Sequence, residues 1–168
     1  MEDRIKWNQH AIDLAMASHD PKAHRWLGSV WTNLGTNYFE TKQFDKALFA
    51  FEKTLEFRKQ EQYAPNIRFA QFRVAQLLRI VGHVEKALQM QQQLLVAYNK
   101  MEAEKSIDMP MDMFILTRGW IYEEFIEIYH VAIKVYAHLA YKDLSLNEMF
   151  ARSEPARLDR LKKLKDLV

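Results

Sequence analysis

One short motif in the first third of the chain constrains the fold more than any bulk property does. A tryptophan, a leucine, a glycine and a tyrosine come in close succession, and a small residue and an aromatic follow them. These residues are Trp31, Leu34, Gly35, Tyr38, Ala47 and Phe51. Around Phe51 the apolar side chains recur every three or four residues, which places them on one face of a helix. The segment therefore predicts consecutive helices, each with an apolar face.

Helix start and stop signals divide this region into helices. Asp20 and Pro21 predict a helix start, with the aspartate as cap and the proline in the first turn. Pro65 is expected to stop a later helix, because proline disfavours helix in the residue before it. The four predicted helices cover residues 21–40, 44–62, 67–80 and 84–104.

The motif resembles the tetratricopeptide repeat (TPR), whose pattern is W-x2-L-G-x2-Y followed by a small residue and an aromatic. The resemblance implies an all-α fold of antiparallel helix-turn-helix repeats, stacked as a right-handed superhelix with a concave groove. The step from Ala47 to Ala87 is 40 residues, against about 34 in the standard repeat. We interpret the difference as longer helices and a deeper groove.

On this interpretation, residues 1–168 form a single TPR-like domain. Its predicted parts are a half-repeat or N-terminal capping helix (1–18), repeat 1 (21–62), repeat 2 (65–105), a degenerate repeat 3 (109–142) and a C-terminal capping helix (153–168). Starting on a half-repeat suggests either a natural cap or a fragment of a longer array. Repeat 3 needs a turn near Phe125, but no turn-forming residue occurs there, so one long helix is an alternative. The last helix has one leucine-rich face and is otherwise basic. It is expected to cover the end of the solenoid, or else to contact a partner or a membrane surface.

Bulk properties exclude several classes of protein. The net charge of +2 implies no general attraction to nucleic acid. The chain has no cysteine, which excludes disulfides and thiolate catalysis. No apolar run reaches the roughly 18 residues of a membrane span, and no signal peptide is visible at the N-terminus. We therefore expect a cytoplasmic protein that does not insert into a membrane.

Motifs for catalysis are missing from the sequence. It contains no G-x-S-x-G, phosphate loop, G-x-G-x-x-G or H-E-x-x-H, so we expect no enzyme activity and no cofactor. Glu127 and His130 form one E-x-x-H, but a di-iron site needs a second copy and two further glutamates. We therefore expect no metal site. Glu123 and Glu124 point about 100° apart on a helix, and are expected to form a solvated edge or part of a groove rim.

The resemblance to TPR proteins also implies roles for individual residues. The structural positions would be Trp31, Leu34, Gly35, Tyr38, Ala47, Phe51, Leu78, Gly82 and Ala87. The groove that binds a peptide would be formed by Asn33, Thr36, Glu40, Phe69, Phe72, Arg73, Gln76, Arg79 and Trp120, with Ser29, Thr32, Met113, Thr117 and Glu124 beside them. Amide and guanidinium groups can hydrogen-bond a peptide, and aromatic side chains supply buried area. In the alternative, the phenylalanines pack against neighbouring helices and the arginines are solvated.

Four methionines between the second and third helix pairs form a separate candidate surface. Met101, Met109, Met111 and Met113 could provide an adaptable apolar binding surface, since methionine is flexible and polarizable. The alternative is that they pack beneath the loop between the two pairs.

The sequence thus predicts a non-catalytic protein–protein interaction module that binds a peptide or helix in its concave groove, with an adaptor or scaffold role. A peptide-sensing regulator, or part of a larger regulatory protein, is the first alternative. A small dedicated secretion-type chaperone is the second. Because repeat arrays also assemble through exposed terminal repeats, a homodimer is a further expectation.

Overall fold

The computed structural model describes the backbone of residues 2–140 and the side chains of residues 2–131. Regular structure in this part of the chain is entirely helical, which confirms the all-α prediction for it. The helices are α1 (Glu2–Ala17), α2 (Pro21–His24), α3 (Leu27–Glu40), α4 (Phe44–Glu61), α5 (Ala64–Ile80), α6 (Val84–Ala103) and α7 (Met111–Ala140). The predicted capping helix at 153–168 lies outside the described residues.

The chain divides into two compact units, Met1–Ile128 and Tyr129–Val168. Within the first unit α1 packs on α3, α3 on α4, α4 on α5 and α5 on α6. Of the second unit, residues 129–140 continue α7 as helix. No helix in the described part of the chain is both long enough and apolar enough to cross a membrane.

The predicted helix over 21–40 is divided, so that prediction was wrong. The Asp20 side chain does cap α2, accepting the Lys22 backbone N–H at 2.8 Å. However, α2 ends at His24, and the Trp26 N–H donates to the Ala23 carbonyl, three residues back, at 3.3 Å. This tighter turn precedes α3 and leaves Trp26 exposed while Leu27 is fully buried.

The turn predicted near Phe125 is not formed, so a helix pair over 109–142 was the wrong prediction. Instead α7 runs unbroken from Met111 to Ala140, which is the long-helix alternative. No glycine, proline, asparagine or aspartate occurs between residues 120 and 131. Nothing in that stretch therefore interrupts the helical hydrogen-bond ladder.

Two clusters of buried apolar side chains form the core of the first unit. One contains side chains from α1, α3, α4, α5, α6 and α7 and includes Leu27, Leu34, Ala47, Phe51 and Leu77. The other joins α5, α6 and α7 and comprises Phe72, Leu94, Tyr98, Met101, Phe114 and Ile121. The second cluster forms the floor of the candidate site.

Three helices end in the same left-handed turn. The residue with positive φ is Lys42 after α3 (58°), Gly82 after α5 (95°) and Lys105 after α6 (52°). In each turn the next backbone N–H bonds to the carbonyl five residues earlier: Gln43 to Tyr38 at 2.8 Å, His83 to Leu78 at 2.7 Å and Ser106 to Met101 at 2.9 Å. This is the Schellman arrangement, which satisfies carbonyls at the helix end. The first two turns join α3 to α4 and α5 to α6 as helical hairpins.

Most of the residues that were assigned structural roles are buried in the first unit. Leu34, Gly35, Tyr38, Ala47, Phe51, Leu78 and Ala87 are buried, Trp31 is half-buried, and Gly82 is exposed in its turn. A Cβ on Gly35 would lie 2.8 Å from two carbons of the Phe51 ring. The glycine thus allows α3 and α4 to approach closely.

Candidate binding site between α5, α6 and α7

A cavity of about 330 Å³ lies between the first half of α5, the middle of α6 and the start of α7. Its lining is predominantly aromatic and aliphatic, with a few polar side chains. The lining residues are Tyr63, Pro65, Asn66, Arg68, Phe69, Phe72, Leu94, Tyr98, Met109, Pro110, Met113, Thr117, Trp120 and Ile121. We refer to this space as the α5–α7 cavity.

The floor of the α5–α7 cavity is buried, whereas its rim is open to solvent. Leu94, Tyr98 and Ile121 are almost completely buried. Phe69 is 38% exposed and Met113 is 42% exposed. An apolar floor beneath an exposed apolar rim is the arrangement expected of a surface that accepts an apolar group.

Helical spacing and ring packing position the aromatic lining. Phe69 and Phe72 lie three residues apart on α5, so they share a face. The Phe72 ring packs beside Trp120 of α7, with centroids 5.9 Å apart and planes inclined at 31°. Tyr98 of α6 packs beside Phe114 of α7 at 5.3 Å. The first contact packs α5 against α7, and the second packs α6 against α7.

An ion pair attaches the loop before α7 to the wall of the cavity. Arg68 of α5 donates through Nη2 to the Asp108 carboxylate, and its guanidinium lies over the Tyr98 ring at 5.6 Å from the centroid. The Arg68 Nε is buried without a hydrogen-bond partner. Because Asp108 precedes Met109 and Pro110, the pair holds these two lining residues against α5. Asp108 also offsets the arginine charge, so the cavity presents an apolar surface with little net charge.

A buried polar network connects α5 to α7 beside the cavity. The Glu124 carboxylate accepts from Arg79 Nε at 2.7 Å and Nη2 at 3.0 Å, and from Gln76 Nε2 at 2.9 Å. These hydrogen bonds raise the pKa of Arg79 above its usual value, although burial opposes the shift. Glu124 itself is buried, so its prediction as a solvated edge was wrong. It accepts hydrogen bonds from Gln76 and Arg79 of α5.

Arg73 is also engaged within the protein. Its Nη1 donates to the Gln76 side-chain carbonyl, and its guanidinium lies 4.4 Å from the centroid of the Phe39 ring and 5.0 Å from that of Phe51. Burial lowers the pKa of Arg73, and the Glu124 charge partly offsets this effect. Removing Arg73 would therefore disturb packing between α3, α4 and α5 as well as any ligand contact.

The structure brings some predicted groove residues together and separates others. Phe69, Phe72 and Trp120 all line the α5–α7 cavity. On α3, Asn33 lines a different hollow with residues of α1, and the Thr36 hydroxyl donates to the Thr32 carbonyl of its own helix. Glu40 is exposed. The aromatic part of the predicted groove thus forms one site, while the α3 part lies elsewhere.

Sequence reasoning missed the α6 contribution to the cavity. Tyr98 and Leu94 have the same periodic apolar spacing as any core residue of α6, so nothing distinguished them as site residues. The methionine cluster was a partial signal. Met109 and Met113 line the cavity, whereas Met101 is buried in the core and Met111 is exposed.

The acidic and imidazole candidates of the E-x-x-H motif lie at the surface. Glu127 and His130 are both exposed on α7. Within the side chains that the structure describes, no group of three histidine, aspartate or glutamate residues is arranged to hold a metal ion.

Comparison of the chain with protein-family models, with curated proteins and with solved structures finds no match in any of the three. The geometry of its own side chains is therefore the basis for a functional argument.

Proposed function

We propose that this chain is a non-catalytic protein–protein interaction module of TPR-like architecture, with an adaptor or scaffold role. It binds a peptide segment or helix of a partner by seating one or two bulky apolar side chains in the α5–α7 cavity. The observation that carries the proposal is the cavity itself, with its buried apolar floor and its exposed rim of Phe69 and Met113.

The size and lining of the cavity support this kind of ligand. Ligand pockets typically measure about 300–1,000 Å³ and are mostly apolar, with a few polar groups that orient the ligand. At about 330 Å³, this cavity is at the lower end of that range and suits side chains better than a large cofactor. Aromatic residues dominate the energetics of such interfaces, and methionines allow the wall to adapt to different shapes.

The polar network favours apolar anchoring over charge recognition. Arg79, Gln76 and Arg73 already use their polar groups within the protein. Recruiting Arg79 or Gln76 to a ligand would break hydrogen bonds with the buried Glu124 carboxylate, which is costly. The bound peptide is therefore selected mainly by its apolar side chains.

The test is selection of peptides from a displayed library on the full chain, followed by titration calorimetry of an enriched peptide. Phe69→Ala is expected to raise the Kd by about tenfold, because it removes an exposed anchor at the rim. Val96→Ala is the matched control, since Val96 is 67% exposed on α6 and does not line the cavity. This control should bind like the unmodified chain.

Two results would contradict the proposal. One is that no peptide is enriched over the unselected library. The other is that enriched peptides bind Phe69→Ala and Val96→Ala equally well while both variants keep the helical circular dichroism of the parent.

A further inference from the structure

A second cavity lies in a different part of the first unit, between α1, α3 and α4. Its volume is about 520 Å³. Three aromatic side chains line it: Trp31 and Tyr38 from α3, and Phe49 from α4. None of these residues lines the α5–α7 cavity, so the two sites are separate.

The aromatic side chains are arranged as walls. The Trp31 and Phe49 rings meet edge to face, with centroids 5.8 Å apart and planes at 79°. Tyr38 is buried and fixed in place, because its hydroxyl accepts from Gln9 Nε2 of α1 at 2.8 Å. Phe49 is 54% exposed despite this contact. An apolar ring held at the mouth of a cavity suggests a role beyond core packing.

The charged groups at the cavity favour a cation. Asp13 of α1 and Asp45 of α4 both line it, and both are exposed. Lys46 is the one cationic side chain among the described lining residues, so carboxylates outnumber cations there. The Lys46 Nζ lies 5.6 Å from the centroid of the Tyr38 ring. The cavity therefore already contains a cation–aromatic contact made by its own chain.

Cations are attracted to the faces of tryptophan, tyrosine and phenylalanine, and groups of such rings bind quaternary ammonium ligands. Nearby carboxylates add a favourable charge interaction. From the three rings, the two carboxylates and the cavity that they share, we infer that this space is a binding site for an alkylammonium group. Lys46 is a resident competitor for the Tyr38 face.

The inference is tested by titrating the full chain with choline and following the indole N–H signals by nuclear magnetic resonance. The chain has four tryptophans, and the Trp31 signal is the one that disappears in Trp31→Phe. Choline is expected to shift this signal saturably. The neutral isostere 3,3-dimethyl-1-butanol, which has the same shape without the charge, is expected to bind at least about threefold more weakly.

Charge variants give effects of opposite sign. Asp45→Asn should weaken choline binding by about threefold, whereas Lys46→Met should strengthen it by a similar factor. Phe49→Leu should also weaken it, and the exposure of Phe49 means that the core is retained. Phe69→Leu, in the α5–α7 cavity, is the matched control and should leave choline binding unchanged.

A third ligand identifies the source of the ammonium group. If an N-acetylated, amidated trimethyl-lysine binds more tightly than choline, the site recognises a modified side chain of a partner protein. If choline binds at least as tightly, it recognises a free small amine. The inference is overturned if choline causes no saturable shift, or if the neutral isostere binds as well as choline.

Discussion

The two helical hairpins of the first unit, α3–α4 and α5–α6, have the same frame but differ at the centre of their packing. The turns match at a separation of 40 residues, as Lys42 and Gly82 both adopt positive φ. Ala47 and Ala87 are both completely buried at the start of the second helix. At the same separation, however, Gly35 corresponds to Ala75, and Phe51 corresponds to Gln91. The turn and the buried alanine are repeated in the second hairpin, whereas the central contact is not.

The central positions of the two hairpins differ in polar satisfaction as well as in size, although the first hairpin also contains one buried unpaired polar atom, Trp31 Nε1. In the first hairpin the buried Phe51 ring packs against Gly35. In the second, Gln91 is 0% exposed, and neither its side-chain oxygen nor its nitrogen has a hydrogen-bond partner. A buried unpaired amide is costly. The first hairpin therefore has a close apolar contact at its centre, while the second, which lines the α5–α7 cavity, has an unpaired polar side chain there.

The largest predicted effect comes from removing the two central side chains. Phe51→Ala should lower the free energy of unfolding by about 3–5 kcal/mol, because it leaves a cavity in the core. Gln91→Ala should cost much less, since the lost volume is offset by removing an unpaired amide. Urea denaturation of both variants measures the difference, and equal losses would show that the two positions are not distinct.

The next effect concerns the close approach of α3 and α4. Gly35→Ala should lower the free energy of unfolding by about 1–3 kcal/mol, since the new Cβ would lie 2.8 Å from the Phe51 ring. Gly119→Ala is the matched control within a helix. A Cβ there meets nothing within 4 Å, so this change should stabilise α7 by up to about 1 kcal/mol. If both alanines stabilise, the helix crossing tolerates the added carbon.

The fold was predictable where local signals are strong. Gly82 marks the end of α5 as expected, whereas Pro65 lies in the first turn of α5, which begins at Ala64 and not at residue 67 as predicted. The division of α2 from α3 was not predictable, because Arg25 and Trp26 are not turn residues. The turn there accompanies the burial of Leu27, which is a tertiary contact.

The candidate site was predictable only in part for a similar reason. The resemblance to TPR proteins implied that Phe69 and Phe72 face a groove, and both line the cavity. The hydrogen bonds of Glu124 to Gln76 and Arg79 span 48 and 45 residues. Residues so far apart in the sequence can form a contact without producing any periodic pattern in it. Local pattern thus identifies candidate faces, whereas the pairing of faces depends on packing.

A moderate stabilising effect is expected from replacing the buried amide. Gln91→Met keeps the length of the side chain and removes both unpaired polar atoms, so it should raise the free energy of unfolding by about 1–2 kcal/mol. Gln92→Met is the matched control, because Gln92 is exposed on the same helix and should have little effect. If Gln91→Met is destabilising, the amide stabilises the second hairpin despite having no hydrogen-bond partner.

The smallest effect tests whether the two turns are equivalent despite their different residues. Lys42 adopts a left-handed conformation that Gly82 adopts in the other hairpin, and this conformation strains any residue with a Cβ. Lys42→Gly should therefore raise the free energy of unfolding by about 0.5–1 kcal/mol, once the greater freedom of glycine in the unfolded chain is taken into account. Gly82→Lys should lower it by a similar amount, although nothing lies within 4 Å of a Cβ at that position.

Urea denaturation of the two single variants and of the double variant measures both effects. Opposite shifts that cancel in the double variant would mean that the hairpins share one backbone frame and differ in stability through their central contacts. A loss of stability in Lys42→Gly would instead mean that the lysine side chain supports the first turn.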